Sequence, residues 1–244
     1  MVNSIITTHN LWREFPKVRN RSTLFQAIRK SRNNRGVNTI LAVQNLNITI
    51  KKGETIGLIG NNGSGKSTLI RLVAGLIPPT TGTVETNGEI ALLSHLGVGM
   101  LGSLTVRDNV YLYGAIHRIP RSEISQLYDE IIEWAELEGF SKSLLKNLSW
   151  GMRARLAFSV IRHIQAEIFL LDEADTAGDV HFREKMKAFF RKQSNIERTF
   201  LIATHEMEFV NSFCTKVLWL HHGRQMAFGE PQEVLAQYKL QKER

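Results

Sequence analysis

The sequence predicts an α/β fold built on a mostly parallel sheet, with a helical lobe inserted in its middle. Three observations lead there. Short apolar strand patterns alternate with helical patterns towards both ends of the chain, and the stretch from 106 to about 145 is mainly helical. A strand pattern at 55–59 runs directly into a glycine-rich turn that opens a helix. With 244 residues and 43% hydrophobic content, the chain can bury one substantial core and carry a smaller appended lobe.

Ile48 and Ile50, then 55–59, read as two short strands around a turn at 51–53. Helical spacing follows over 68–76 until Pro78 and Pro79 stop it. The segment 83–93 reads as strands with a turn at Asn87-Gly88, and within 106–145 Trp134 and Leu137 are candidates for the core. Ser149 is a natural N-cap for a helix over 149–164. Buried strands are expected at 168–171 and 199–203, helices at 180–193 and 206–213, and a strand at 217–221. Pro231 opens a closing helix over 231–238, since proline suits a first helical position.

The formal net charge of +8 points to nucleic acid or an anionic membrane surface as partner classes. Its distribution is uneven. Residues 16–40 hold Lys17, Arg19, Arg21, Arg29, Lys30, Arg32 and Arg35 with no acid, leaving 24 basic against 23 acidic side chains elsewhere. Leu24, Phe25, Ala27 and Ile28 lie among those charges at spacings compatible with a short amphipathic helix. A lone cysteine, Cys214, excludes an internal disulfide framework and fits a reducing compartment. The start, MVNSIITTHN, lacks the pattern of a signal peptide, and no apolar run is long enough to span a bilayer.

Gly60, Asn61, Asn62, Gly63, Ser64, Gly65, Lys66 and Ser67, followed by Thr68, fit the phosphate-binding loop pattern in full. Glycines let backbone N–H groups turn inward around phosphate oxygens, and the helix N-terminus adds its positive end. Lys66 would reach the β- and γ-phosphates of ATP, and the Ser67 hydroxyl would bind Mg²⁺. Such a loop needs a distal acid for the metal. The apolar run 168–171 ends in Asp172-Glu173, placing Asp172 beside Mg²⁺ and Glu173 where it can polarise an attacking water.

Leu148-Ser149-Trp150-Gly151-Met152 comes between loop and acids, with Ser149 placed 23 residues before Asp172. In that order and spacing it resembles a divergent signature sequence of ABC-type ATPases. The resemblance covers essentially the whole chain and is strongest to the ATPases that export capsule, O-antigen and teichoic acid polysaccharides. Gly151-Met152-Arg153-Ala154-Arg155-Leu156-Ala157-Phe158, Asp172-Glu173-Ala174 with Gly178-Asp179, and Leu96-Gly97-Val98-Gly99-Met100 followed by Gly102-Ser103-Leu104-Thr105 and Arg107-Asp108-Asn109 all resemble segments of that group.

The resemblance implies one nucleotide-binding domain over 1–244, with a phosphate-loop NTPase core, a basic insertion at 16–40 and a helical signature subdomain at about 95–165. It implies ATP-Mg²⁺ held between two copies in a head-to-tail homodimer. Ser149 and Gly151 of one copy would face the γ-phosphate bound by the other, His205 would sense that phosphate, and Phe15 or Trp12 would stack on adenine. It further implies a separate multi-spanning permease, a lipid-linked glycan as cargo, and a place on the cytoplasmic face of the inner membrane. With the sequence ending at Arg244, a C-terminal sugar-binding domain of the kind that some O-antigen ATPases carry is not expected.

Three departures bear on coupling rather than on ATP binding. The family's glutamine that links Mg²⁺ to the membrane-domain interface has no clear counterpart, Ser94 or His95 standing near its place. Trp150 replaces a small residue in the signature, and Asp175 takes a usually apolar position. A soluble ABC ATPase acting on nucleic acid or ribosomes is the alternative, with the basic segment on phosphates. Absence of a second cassette or a long coiled-coil insertion argues against it.

Overall fold

The structure is a computed structural model that describes residues 4–17, 39–94, 97–172, 182, 184–186, 188–189 and 198–242. Nine strands form one sheet: β1 (Ser4–Pro16), β2 (Thr39–Lys51), β3 (Thr55–Ile59), β4 (Thr81–Thr86), β5 (Ile90–Ser94), β6 (Ile168–Asp172), β7 (Thr199–Ala203), β8 (Lys216–His221) and β9 (Arg224–Gly229). Their order is β4-β1-β2-β9-β8-β3-β7-β6-β5. The helices are α1 (Lys66–Val73), α2 (Val106–Ile116), α3 (Arg121–Ala135), α4 (Trp150–Ile161), α5 (Met207–Phe213) and α6 (Pro231–Lys242).

Strands β8, β3, β7, β6 and β5 pair in parallel. Every residue of β3, β6 and β7 is buried, which is why their sequences read as continuous apolar runs: such strands are covered on both faces. The registers align their carboxyl ends. Ser94 lies opposite Asp172, Asp172 opposite Ala203, Ala203 opposite Leu58, and Ile59 opposite Trp219. In open α/β sheets, ligands bind outside the carboxyl ends of the strands. This register is therefore what positions the site.

One apolar cluster lies between the sheet and α2, α3 and α4, where Trp134 stacks on Phe158 at 5.6 Å and meets Phe182 edge-on at 5.6 Å. The other packs Leu69, Ile70, Leu72 and Val73 of α1 against β1, β2 and the inner strands. Leu137 is fully buried and Trp134 half-buried, as the helical spacing predicts. Burial pushes the Cys214 thiol up to about 12, so it stays protonated at neutral pH.

The structure differs from the sequence expectations in several places. Two strands, β1 and β9, were not foreseen, and β2 begins nine residues before Ile48. The strands flanking Asn87-Gly88 do not form a hairpin: β4 pairs with β1 at one edge of the sheet and β5 with β6 at the other. Helix α4 ends at Ile161, three residues before the expected 164, and α1 ends at Val73 rather than 76. There Gly75 adopts φ 69 and its N–H donates to the Leu72 carbonyl, closing the helix before the prolines are reached. Most of the helix expected at 180–193 lies outside the described residues; 182, 184–186 and 188–189 are helical. Of the basic segment, 18–38 lie outside them too. The strand ends on either side are register partners, Pro16 with Thr39 and Phe15 with Ile40.

Candidate functional site

Loop 60–65 joins β3 to α1 and is held from three sides. The Gly223 N–H, in the turn between β8 and β9, donates to the Ser64 carbonyl at 2.9 Å. At Gly60, φ is 145 and a Cβ would stand 2.2 Å from the Leu220 carbonyl oxygen; at Gly65, φ is 108 and a Cβ would stand 2.2 Å from that of Ala42. Only glycine tolerates such φ values and such contact with backbone. Gly65 is also the N-cap of α1, and it supplies no side-chain cap. The first-turn N–H groups of α1 thus lack the capping oxygen that Thr105 gives α2 and Ser149 gives α4. Among the described residues the buried Ser64 hydroxyl has no hydrogen-bond partner. An uncapped helix start, a backbone cradle and an orphan hydroxyl together suit a phosphate group.

Lys66 is buried, and its ammonium donates to the carbonyls of Gly60 at 2.7 Å and Asn61 at 3.2 Å. The Ser67 hydroxyl donates to Asp172 Oδ1 at 3.0 Å, bridging 105 residues of sequence. Adjacent oxygen ligands of an octahedral Mg²⁺ stand about 2.9 Å apart. That pair therefore fits a magnesium ion. Thr68 continues α1 in its first turn.

His205 follows β7 through the buried Thr204, whose N–H donates to the Leu58 carbonyl at 3.3 Å, and the histidine is exposed at the same strand ends. Ser94 lies directly opposite Asp172. Glu173, Asp175, Gly178, Asp179 and His95 lie outside the described residues. Among the aromatic candidates, Phe15 sits at the end of β1 that pairs with Ile40, one residue before Leu41, whose carbonyl oxygen a Cβ on Gly223 would meet at 2.8 Å. The Arg13 guanidinium covers its ring at 4.5 Å. Trp12 instead pairs with Thr81 on the edge strand β4.

Ser149 caps α4, accepting from the Met152 N–H at 3.2 Å, and Gly151 lies in the first turn. Arg153 fixes the approach to that cap, donating to the carbonyls of Leu148 and Lys146 at 3.1 and 2.9 Å. Trp150 is 54% exposed at the opening of the helix. Among the described residues neither Ser149 nor Gly151 is hydrogen-bonded to the phosphate loop, so within one chain these two groups are not brought together.

The loop after β5 is shaped by Asn109, fully buried, whose amide accepts from the Leu101 N–H at 2.7 Å and donates to the carbonyls of Leu101 and Thr105. Val98 and Leu101 are left exposed on it. Sequence reasoning missed Gly223 and Tyr238, the latter donating to Asn61 Oδ1. A His-Gly pair after an apolar strand is only a turn signal, and nothing local names the loop it supports.

A family model described as ABC transporter matches residues 43–176. An O-antigen export system ATP-binding protein, RfbB of Myxococcus xanthus, is 37% identical over 219 residues, covering 90% of this chain and 50% of its own length. This chain thus spans half of that relative. A teichoic acids export ATP-binding protein, TagH of Staphylococcus haemolyticus, is 36% identical over 238 residues, covering 96% of this chain and 88% of that protein. A solved ATP-binding cassette, a dimer in a post-hydrolysis state with ADP and Pi, matches with TM-score 0.73 at 22% identity over 93% of this chain and 99% of its own, a likeness of fold. The phosphate loop and its acid thus sit in a family match over more than half of the sequence, and the chain belongs to the ABC transporter family.

Proposed function

We propose that the chain is the ATP-hydrolysing subunit of an exporter that moves a lipid-linked polysaccharide or glycan through a separate transmembrane permease. The observation that carries this reading is the Ser67–Asp172 pair beside an uncapped, glycine-lined helix start. The cargo class rests on the likeness to RfbB and TagH across nine tenths of the chain. The nucleic-acid reading is set aside on the same ground. Among the described residues no helix is long and apolar enough to cross a membrane. Transport therefore calls for a permease, with this chain peripheral at the cytoplasmic face of the inner membrane. Val98 and Leu101 suit contact with it.

In this reading Gly60, Asn61, Asn62, Gly63, Ser64, Gly65 and Thr68 cradle the phosphates, and Lys66 exchanges its loop carbonyls for phosphate oxygens. Ser67 and Asp172 hold Mg²⁺, which when bound offsets charge on the β- and γ-phosphates. Glu173 orients and deprotonates the attacking water, His205 contacts the γ-phosphate, and Phe15 stacks on adenine. Ser149 and Gly151 complete the site from a second copy, where the start of α4 presents its positive end. Magnesium-dependent ATPase activity of the purified chain, and its co-purification with a multi-spanning membrane protein, test the reading. Nucleic acid in place of that membrane protein would overturn it.

The homodimer has an optical test. Trp150 at the opening of α4 should change environment when ATP closes the interface, so parental fluorescence should respond to ATP and a Trp150→Ser variant should lose most of that response. An identical response in both would remove Ser149 and Gly151 from the opposed site.

The basic segment is read as a substrate-side element facing anionic lipid or the phosphates of the glycan carrier, each basic residue contributing roughly 1 kcal/mol near an anionic leaflet. Ala42, three residues after the flanking Thr39, approaches Gly65 of the phosphate loop, so ATP binding is measured alongside export. Replacing Arg29, Lys30, Arg32 and Arg35 together by Gln should reduce glycan export at least twofold while ATP binding stays at the parental level. Undiminished export would end this assignment. Salt-sensitive RNA or DNA binding that disappears in the variant would reassign the segment to nucleic acid.

A further inference from the structure

The C-terminal helix α6 packs against β8, β9 and α5, and one of its side chains reaches the phosphate loop. Tyr238 is buried, with its ring edge-on to Trp219 at 5.4 Å and 81°. Trp219 is in turn the register partner of Ile59, the last strand residue before the loop. This fixes the ring relative to the base of the loop and aims the hydroxyl at Asn61 Oδ1, 3.4 Å away. A cavity of about 240 Å³ surrounds the contact, lined by Asn61, Trp219, His221, Tyr238 and Gln241.

Asn61 is where the loop turns. Its backbone carbonyl accepts from the Ser64 N–H at 3.1 Å and from the Lys66 ammonium at 3.2 Å. Its side chain is otherwise exposed to solvent. Moving Asn61 therefore moves both the Ser64 end of the cradle and the resting place of the lysine that must turn to phosphate. Among the described residues, the only hydrogen bond to the Asn61 side chain is the one from Tyr238.

We propose that Tyr238 is a positioning residue for nucleotide binding, holding the phosphate loop through its hydroxyl bond to Asn61. The inference rests on the ATPase reading above. It makes α6 a strut whose displacement is felt at the phosphates. A bond of 3.4 Å lies beyond the usual O–H···O range, so the effect is a tuning of affinity rather than its loss. The loop geometry is needed equally before and during hydrolysis, and its loosening should therefore raise KM more than it lowers kcat.

Tyr238→Phe keeps the ring on Trp219 and removes only the hydroxyl. Its KM for ATP, and its Kd for a fluorescent ATP analogue, should rise about three- to tenfold, with kcat within about twofold of the parent and Tm shifted by no more than about 2 °C. In an Asn61→Ala background the same substitution should add nothing, because the bond is already gone. Parental affinity in Tyr238→Phe, or an equal further loss in the Asn61→Ala background, would overturn the proposal. Failure of the parental chain to bind the analogue would overturn the ATPase reading itself.

Discussion

Glu173→Gln is expected to lower ATP hydrolysis by at least ~10²-fold while ATP binding persists, the usual contribution of a general base. The argument runs from the neighbour in the chain. Asp172 closes a wholly buried strand and takes the Ser67 hydroxyl on Oδ1, so its carboxylate belongs to the metal side of the site. Across a trans peptide the next Cα lies about 3.8 Å away, so Glu173 is tied by the chain itself to the metal side of the site. Glutamine keeps the shape of the side chain but cannot take a proton from water. Lys66, Ser67 and Asp172 still hold ATP and the metal, so kcat should fall with little change in nucleotide affinity. Dimers should then accumulate with ATP in size-exclusion chromatography, because the step that separates them is blocked. Hydrolysis at the parental rate would remove Glu173 from the role of base.

The parts of this fold that were legible in the sequence are those where burial is complete or a cap is local. Strands β3, β6 and β7 announce themselves as unbroken apolar runs, and Ser149 caps α4 as its position predicts. Strand β1 was illegible for a physical reason. Its register on β2 shifts repeatedly, and Asn10 takes φ 43 within it, so the period-two alternation that marks a half-buried strand is broken. Strand β9, only partly buried along its length, carries no clear alternation either. Loop 60–67 and Asp172 were visible as separate patterns, but only the register from Leu58 through Ala203 to Asp172 brings them to one edge. The contacts of Ala42, Gly223 and Tyr238 with the loop are non-local, and each of those residues is locally unremarked in composition. Pairing of distant segments by side chains is what periodicity does not encode.

Gly65→Ala tests that non-local support most severely. At φ 108 a side chain is strained by roughly 1–3 kcal/mol before any contact is considered. The added Cβ would also stand 2.2 Å from the Ala42 carbonyl oxygen, with the Gly223 Cα 3.5 Å away. Neither neighbour can simply withdraw. The Gln44 N–H donates to the Gly223 carbonyl at 2.8 Å and the Gly223 N–H to the Ser64 carbonyl at 2.9 Å, so β2, the β8–β9 turn and the loop form one hydrogen-bonded unit. Relief must come from the loop, by moving the first-turn N–H groups of α1 away from the place where phosphate binds. We expect ATP affinity to fall at least ~100-fold, about 2.7 kcal/mol. The Tm should fall by roughly 6–12 °C, corresponding to a stability loss of about 3 kcal/mol. Gly75→Ala is the control, since Gly75 also has positive φ, 69, but a Cβ there meets nothing within 4 Å. It should lose only the left-handed strain of about 1 kcal/mol, or roughly 2–4 °C, with ATP binding unchanged. If Gly65→Ala bound ATP like the parent, the backbone cradle would not be what holds the phosphates. If Gly75→Ala lost binding to the same degree, the loss would reflect general destabilisation and not the contact with Ala42.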